Sequence, residues 1–439
     1  MSTPTTGSST EATPTPPPED HSEEQTKHGP SGQAALLRQV ASSPAVIWLL
    51  AVLTALFLSS ILILAADPEV RYTATYLLNR PGDFLHATGS TLSEAYSSLL
   101  RGAVFDWRAT TGVRMIRPIT DTLTNATPLI IAGLGMAVAF RAGLFNIGGQ
   151  GQMILGAITA CYVGIAWNLP PVAHLLLAVV GAGLGGLVWG GIAGVLKART
   201  GANEVIVTIM LNSIAAHLLS QVLSLKAFNG EGETGNRKSL TVADAAQYPS
   251  LAGDSFRLHT GFLLALLVAV AVWWLMERSR LGFQLRATGL NADAARTAGM
   301  SVPWVTSLVM MISGALCGLA ATAPVLGTQK SMDESVVGTI GFDAITVALL
   351  GRSRPLGTVL AGLLFGALRA GGTAMQAAPG THIKIVLVLQ STIVLFIAAP
   401  PLIRAIFRLP ERRDTLGGPA PSPASVPAAA PAAPAAKEA

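Results

Sequence analysis

Long apolar runs separated by short polar segments fill the chain between residues 44 and 407. A helix that crosses a bilayer needs about 20 mostly apolar residues, because it rises about 1.5 Å per residue through about 30 Å of hydrocarbon. By this measure the pattern predicts an all-α integral membrane protein with about ten spans. The predicted spans cover residues 44–66, 119–140, 148–167, 171–195, 203–223, 261–276, 303–325, 340–350, 356–368 and 383–407.

The two ends of the chain have a different composition. Residues 1–40 and 409–439 are rich in Pro, Ala, Ser and Thr, and such segments cannot bury enough apolar surface to offset the entropy of ordering. We expect disordered cytoplasmic tails there, on either side of one transmembrane domain over residues 41–408. The first apolar run, from Pro44, is too long for the apolar region of a signal peptide and is expected to be an uncleaved span.

The segment from Arg141 to Gln152, RAGLFNIGGQGQ, lies between two apolar runs. Hydrocarbon cannot hydrogen-bond a backbone, so a stretch this rich in Gly and amides is tolerated at membrane depth only inside protein or beside a wet cavity. A turn outside the membrane is the alternative. Gln150 and Gln152 continue into the next apolar run, however, which favours a broken helix whose amides face a translocation path.

A second break follows in the other half, where GFDAI and GRSRP frame the short run 340–350. In a ten-span protein the first five and the last five spans have opposite orientations. Breaks at corresponding positions therefore predict an inverted repeat of two five-helix halves, an arrangement that places the solute path near the midplane. The short run rises only about 17 Å, so it either crosses with help from residues 337–339 or is re-entrant. Arg352 and Arg354 favour a crossing, because guanidinium groups are costly within lipid.

The connecting segments carry three further patterns. Thr91 to Glu94 has the form of a capping box, which predicts a helix that begins there and lies along the outer membrane surface. Residues 228–258 are polar and are expected to form a loop outside the bilayer. Asn291 and Gly299 frame a short exposed helix, the first as its N-cap and the second as its C-cap.

Composition and charge exclude several classes of protein. Hydrophobic residues make up 51% of the chain and charged residues 12%, which excludes an ordinary soluble domain. Cys161 and Cys317 lie inside apolar runs and the histidines are scattered, so we expect no disulfide and no metal site. The basic residues are dispersed over loops, which indicates membrane topology with both termini cytoplasmic rather than nucleic-acid binding. No lysine follows a glycine, so a phosphate-binding Walker loop is absent and we expect no ATP cofactor in this chain.

Three motifs carry a resemblance to a known family. They are GLFNIGGQGQMILGA at 143–157, GANEVIVTIMLNSIA at 201–215 and GFDAITVALLGRSRPLGTVLAGLLFGAL at 341–368. Together they resemble permease subunits of nucleoside-type (guanosine/uridine) ABC importers, within the simple-sugar and branched-chain amino-acid permease superfamily, and the similarity extends over residues 92–407. The family pattern has Glu where this chain has Gln150, which leaves a carboxylate role at that position open.

The resemblance implies a nucleoside substrate, with a simple sugar such as ribose as the alternative, in a bacterial cytoplasmic membrane. It also implies three protein partners: a separate ABC ATPase that binds the ATP, a second homologous permease and an extracytoplasmic substrate-binding lipoprotein. The ATPase is expected to dock on a coupling helix. Its residues are Leu290, Asn291, Asp293, Ala294, Ala295 and Gly299.

The polar side chains of the predicted spans indicate what the path can carry. They are mostly amides and hydroxyls without an array of fixed charges, which favours a polar, uncharged solute. The predicted path residues are Asn146, Gln150, Gln152, Thr208, Asn212, Asp343 and Thr346. A secondary transporter driven by protons or sodium is a second hypothesis, with Glu204, Asp343 or His217 as the coupling group. A membrane-embedded enzyme has least support, because the chain contains neither an HExxH motif nor a pair of catalytic carboxylates.

Overall fold

The computed structural model describes residues 44–229, 237–253 and 255–377, together with scattered residues between 391 and 408. In these ranges the chain is helical, with two isolated antiparallel bridges in the connecting segments. The helices of the first half are α1 (Pro44–Ala66), α2 (Pro68–Ala74), α3 (Pro81–Ala103), α4 (Gly112–Arg141), α5 (Gly149–Ala166), α6 (Pro171–Thr200), α7 (Glu204–Leu223) and α8 (Lys226–Asn229). Those of the second half are α9 (Gly261–Arg278), α10 (Arg280–Leu290), α11 (Ala292–Thr297), α12 (Val302–Ala320), α13 (Ile340–Leu350) and α14 (Pro355–Ala377). A 3₁₀ turn covers Asp244–Ala246, and a π-helical segment covers Ala323–Thr328.

Six of the described helices are long and apolar enough to cross a membrane, and seven are if α1 and α2, which are bent by 79°, count as one span. They confirm the all-α membrane class. The 18-residue helix α5 is not among the six, and the helix α13 has only 11 residues; both begin at the predicted breaks. The predicted span 383–407 and the tails 1–40 and 409–439 lie largely or wholly outside the described residues, so the number ten stays a prediction.

The predicted start of the helix at Thr91 is wrong. That helix begins ten residues earlier, at Pro81 in α3, because a proline in the first turn fixes φ and lacks only a donor that would have no helical partner there. Thr91 is an interior residue of that helix. The segment expected to form an outer loop packs partly on the bundle, since Val242 and Tyr248 are buried, and its place outside the bilayer stays a prediction.

Two trios of helices, α4–α6 and α12–α14, form the centre of the described fold. The helix α6 packs antiparallel to α12, and α14 packs antiparallel to α4, while α5 packs on α12 and α13 packs on α4. Each of these contacts between the trios thus has a counterpart when the two trios are exchanged, and the long helices of each pair run in opposite directions. This agrees with the inverted relation that the two breaks predicted, while the repeat of two complete five-helix halves stays a prediction, because residues 383–407 lie largely outside the described residues. The contact between α6 and α12 is close enough that a methyl group at Gly186 would overlap the backbone of Gly314, as small residues at helix interfaces allow.

The trios define two ends of the bundle. At the Arg141 end, named after the last residue of α4, the Arg141 Nε donates to the Ser353 carbonyl at 3.1 Å. At the Tyr248 end, the Tyr248 hydroxyl lies 2.8 Å from Thr322 Oγ1, just after α12. The segment before α13 begins at the Tyr248 end, where Val242 N donates to the Lys330 carbonyl at 2.9 Å. Since the segment that follows α13 reaches Arg141, residues 330–353 traverse the bundle from one end to the other.

Candidate functional site

The two breaks meet inside the bundle. The helix α5 begins after the irregular residues 142–148, and α13 begins after the irregular residues 329–339. Gln150, the second residue of α5, donates from Nε2 to the Gly338 carbonyl at 2.7 Å and accepts from Gly341 N at 3.2 Å through Oε1. Gly341 is the second residue of α13, and a Cβ atom there would lie 2.5 Å from Gln150 N. The amino-terminal ends of α5 and α13 are therefore in direct contact.

The hydrogen bonds of Gln150 explain why a glutamine suits this position, where the family pattern has a glutamate. Its amide uses both a donor and an acceptor in this contact. A carboxylate could accept from Gly341 N, but it could not donate to the Gly338 carbonyl. The glutamine is thus suited to join the two breaks, and the carboxylate suggested by the resemblance is not needed for this contact.

Asn146 and Gln152 form a buried amide pair beneath the first break. The Asn146 Nδ2 donates to Gln152 Oε1 at 3.0 Å and to Ser313 Oγ at 2.8 Å. The Asn146 Oδ1 accepts from Gly148 N at 2.9 Å and from Gln152 Nε2 at 3.1 Å. Asn146 has no exposed surface, and these four bonds use both donors and both lone pairs of its amide. In this conformation Asn146 supports the turn.

Two residues of α7 close the first break from the other side. The Asn212 Nδ2 donates to the Ile147 carbonyl at 2.9 Å, and its Oδ1 accepts from Gly151 N at 2.8 Å. Thr208 is buried, and a Cβ atom on Gly148 would lie 3.0 Å from the Thr208 Cβ. The backbone of the break is thus paired by side chains from the motif itself and from α7.

The second break carries a charged group that sequence analysis missed. Arg369 of α14 forms an ion pair with Asp343 of α13 and donates to Thr339 Oγ1 at 2.9 Å. The Thr339 hydroxyl in turn donates to Asp343 Oδ2 at 3.0 Å. The predicted span ended at Leu368, which placed Arg369 in a loop. The signal that could have found it is that apolar residues continue beyond it, to Met375 in the same helix.

A cavity of about 220 Å³ adjoins this charged group. It lies between α4, the π-helical segment, the irregular residues 335–338 and Arg369. Thr124, Asn125, Gln329 and Ser335 add uncharged polar groups to its wall. This is polar space beside an irregular backbone, which at membrane depth occurs only within protein or beside a cavity.

The structure thus sorts the predicted path residues into two groups. Five surround the first break: Asn146, Gln150, Gln152, Thr208 and Asn212. Asp343 belongs to the second break, and Thr346 follows it one turn later in α13, half-buried. Within the described residues, no group of three His, Cys, Asp or Glu side chains could hold a metal ion.

The predicted coupling segment lies at the Arg141 end. The Asn291 side chain accepts from Asp293 N and Ala294 N, at 3.0 and 2.9 Å, and caps the start of α11. Gly299 has φ +81°, and Met300 N donates to the Ala295 carbonyl at 3.0 Å, which is a Schellman ending. Both predicted caps are confirmed.

One residue of that segment does not face outward. Ala295 is only 3% exposed, whereas Leu290, the last residue of α10, is 89% exposed. A partner that docks on this surface meets Leu290 and the exposed residues of α11, while Ala295 packs inside the chain. Ala295 is therefore covered by its own chain in this conformation, and the coupling role of the segment stays a prediction.

Comparison with known proteins places these features in a family. Residues 119–398 match the family model described as "Branched-chain amino acid transport system / permease component". The chain is 38% identical to the guanosine ABC transporter permease protein NupP of Bacillus subtilis, over 73% of this chain and 89% of that one. It is 36% identical to the glucose ABC transporter permease protein TsgB13 of Haloferax volcanii, over 70% and 82%. It is 34% identical to the nucleoside ABC transporter permease protein NupB of Lactococcus lactis, over 66% and 81%. Bacillus subtilis and Lactococcus lactis each have a further permease protein of this kind that is 26% identical to the chain.

Proposed function

The chain belongs to the family of branched-chain amino acid transport permease components, and we propose that it is the permease subunit of an ABC importer that carries nucleosides. Two of the three most similar relatives named above are permeases for guanosine or nucleosides. The similarity to a glucose permease makes a simple sugar the second candidate. Such a subunit moves solute and does not itself hydrolyse ATP.

The contact between the amino-terminal ends of α5 and α13 is the observation that best supports a solute path in this chain. The groups that meet there are amides, backbone donors and carbonyls, joined by Gln150. These groups can exchange hydrogen bonds with the hydroxyl and ring-nitrogen groups of a nucleoside. The charged side chains beside this contact, Asp343 and Arg369, form an ion pair and neutralise each other. A lone carboxylate available to a coupling ion is therefore missing from this part of the described chain, which disfavours an ion-driven mechanism.

We place the solute path along the second break, past Asp343, Thr346 and Arg369, rather than through the buried pair of Asn146 and Gln152. The cavity beside Arg369 supports this choice, because it lies next to the junction and is lined by uncharged polar groups. Gln150 lies at the boundary between the two breaks and is half-buried. It can therefore contact the path and hold the junction together.

The separate ATPase is proposed to dock at the Arg141 end. Leu290 offers an exposed apolar side chain there, beside a short helix that is capped at both ends. A rigid, protruding element of this kind can transmit the movement of a motor protein into the bundle. The salt bridge of Glu277 with Arg141, 3.9 Å apart, joins the preceding helix α9 to the first break.

Two further partners complete the proposed importer. The pairs of permeases in Bacillus subtilis and Lactococcus lactis support a second, homologous permease beside this one. A substrate-binding lipoprotein is proposed to dock at the Tyr248 end, where a cavity of about 750 Å³ opens among the residues around Tyr248 and His259.

The Arg141 end is proposed to be cytoplasmic. The short segments at this end contain many basic residues and few acids, as expected of cytoplasmic segments, whereas the basic residues at the other end lie in long segments that count for little. The basic residues at the Arg141 end are Arg141, Lys197, Arg199, Arg278, Arg280, Arg286, Arg296, Arg352 and Arg354. With this orientation the Tyr248 end lies outside the cytoplasmic membrane.

Uptake measurements in a strain that lacks the chain test this function. Labelled guanosine or uridine should no longer accumulate, whereas labelled glucose and ribose should accumulate normally. Restoring the wild-type chain should recover uptake, and the variant Leu290→Asp should recover less than about a tenth of it at equal membrane abundance. Leu78→Asp is the matched control, because Leu78 is 97% exposed and lies outside the proposed docking surface. Loss of sugar uptake alone would establish the second candidate, and full uptake by Leu290→Asp would refute the docking assignment.

A further inference from the structure

A third cleft in the molecule plays no part in the transport proposal. It has a volume of about 760 Å³ and lies between α3, the start of α4 and the end of α14. The helices α3 and α14 are in close contact there, since a Cβ atom on Gly102 of α3 would lie 3.0 Å from the Gly371 Cα of α14. The cleft is therefore built from packed helices and the connection between α3 and α4.

Arginine dominates the charge of this cleft. Its wall contains Arg101, Arg108, Arg114 and Arg117, against the three carboxylates of Glu94, Asp106 and Asp121. Arg101 is held in place, because its Nη2 donates to Ser98 Oγ at 3.0 Å and its Nη1 lies 4.0 Å from Asp106. Arg117 lies 3.8 Å from Asp121.

Arg108 and Arg114 differ from these two arginines. Both are exposed, and neither has a carboxylate within 4.0 Å in the described part of the chain. Two guanidinium groups thus face the cleft mouth without a counter-ion. Arginine binds phosphate oxygens well, because its planar group offers paired donors.

Apolar side chains stand exposed beside the arginines. Phe105 and Trp107, in the connection before α4, are 40% and 50% exposed, and Val113 and Ile116, in its first turns, are 46% and 48% exposed. Arginines alternating with aromatic and branched aliphatic residues are typical of a segment at the boundary between lipid and water. If this part of the protein were surrounded only by water, these apolar side chains would be exposed to water, which is unfavourable.

The length of α4 places the cleft at that boundary. Arg117 and Arg141 are both in α4, and 24 residues of helix separate them by about 36 Å. A hydrocarbon core is about 30 Å thick, so when Arg141 lies at one headgroup layer, Arg117 lies at the other. The arginines of the cleft then meet phosphate, and the residues of α4 that follow Arg117 meet acyl chains.

We propose that this cleft binds the phosphate group of an anionic phospholipid, with the lipid's acyl chains on the membrane side of Arg117. Free phosphate shares the headgroup chemistry, but it is not concentrated in the headgroup layer where the length of α4 places the cleft. A lipid in that layer also covers the exposed Phe105 and Trp107, which an acidic protein surface would leave without an apolar partner. Phosphatidylglycerol therefore serves as the test ligand.

The test uses the full-length chain, purified in detergent, with bound lipid counted by native mass spectrometry. Wild type should bind phosphatidylglycerol at least tenfold better than phosphatidylcholine. The variant Arg108→Gln/Arg114→Gln should lose that preference, because it removes the two unpaired cations. The control Arg71→Gln/Arg80→Gln makes the same change in net charge at exposed arginines outside the cleft and should keep the preference. Arg108→Lys/Arg114→Lys retains both positive charges and should keep most of it.

Three results would overturn the proposal. One is an equal loss of lipid binding in the control variant, and another is wild-type binding that does not distinguish the two lipids. The third is displacement of phosphatidylglycerol by millimolar inorganic phosphate, which would make the cleft a general phosphate site. Binding of an acidic protein by wild type but not by Arg108→Gln/Arg114→Gln, with no lipid preference, would assign the cleft to a protein partner instead.

Discussion

The two breaks occupy equivalent places in the two trios but are stabilised differently. Side-chain hydrogen bonds from Asn146 and Asn212 satisfy backbone groups of the first break. In the second break the backbone forms local turns, such as Gly338 N to the Ser335 carbonyl at 2.8 Å and Ile340 N to the Val337 carbonyl at 3.1 Å, and Gln150 adds two bonds from the first break. A cavity and an ion pair adjoin the second break.

This difference separates a scaffold from a part that can move. Opening the first break would leave buried donors and acceptors without hydrogen-bond partners. Each buried group left unpaired costs about 1–3 kcal/mol. The local turns of the second break can be exchanged for other turns without leaving a group unpaired, so the two bonds of Gln150 are the main ones that a rearrangement there must break. The second break is therefore the one expected to rearrange during transport, with the first break as its fixed support.

The largest effect is expected from Asn146→Leu. The change removes four hydrogen bonds and leaves Gly148 N, Ser313 and Gln152 without a partner, so the total loss of stability is several kcal/mol. The amount of protein in the membrane and its thermal unfolding temperature should both fall sharply. Asn125→Leu, an asparagine of α4 at the cavity wall, is the control and should remain abundant. If Asn146→Leu were abundant but inactive, a direct role of Asn146 in the path would be favoured instead.

A loss of uptake with little loss of protein is expected at the ion pair. The Arg369 and Asp343 side chains are 22% and 26% exposed, so water can solvate either charge when its partner is removed. Arg369→Gln and Asp343→Asn should each lower nucleoside uptake about tenfold, with membrane abundance within about twofold of wild type. The double variant tests the path role, because a purely structural pair would regain uptake once both charges were absent. Wild-type uptake in the double variant would contradict our assignment.

Intermediate effects are expected at the junction itself. Gln150→Leu removes the bonds to both Gly338 and Gly341 and should reduce uptake several-fold, whereas Gln150→Glu keeps the acceptor for Gly341 N and should reduce it less. Comparing uptake with membrane abundance for both variants separates the two roles of the residue. Low abundance with proportionate uptake would show that Gln150 belongs with the scaffold. Activity above wild type for Gln150→Glu would revive the carboxylate role.

The smallest effect on activity, and a sharp test of orientation, is expected from a cysteine at Ala377. Ala377 ends α14 and is exposed. In a background that lacks Cys161 and Cys317, Ala377→Cys should transport normally and react with an impermeant thiol reagent applied to intact cells. This follows if residues 330–353 cross the membrane and the Arg141 end is cytoplasmic. Labelling only after lysis would mean that the Arg141 end faces outward or that the second break does not cross.

Much of the fold follows from local chemistry. The apolar runs predicted α5, α6, α7, α9 and α12 to within a few residues. A helix is the stable form for such a run in lipid, because it pairs its backbone donors and acceptors with each other. Asn291 and Gly299 were identifiable as caps, since capping depends on a side-chain oxygen or a positive φ at one position. The position of both breaks was likewise visible, because Gly and amide residues stand out within apolar sequence.

The sequence by itself determined the class of the protein, the location of the breaks and the polar residue types available to a solute. Only the tertiary structure decided which of those residues face one another: that Asn146 is saturated, that Gln150 joins the two breaks, that Arg369 pairs with Asp343 and that Ala295 points inward. The physical reason is the separation along the chain of the residues that each interaction joins. Hydropathy and capping act over a few neighbouring residues, whereas the hydrogen bond from Gln150 to Gly338 joins residues 188 positions apart, and only the packing of the two trios brings them together.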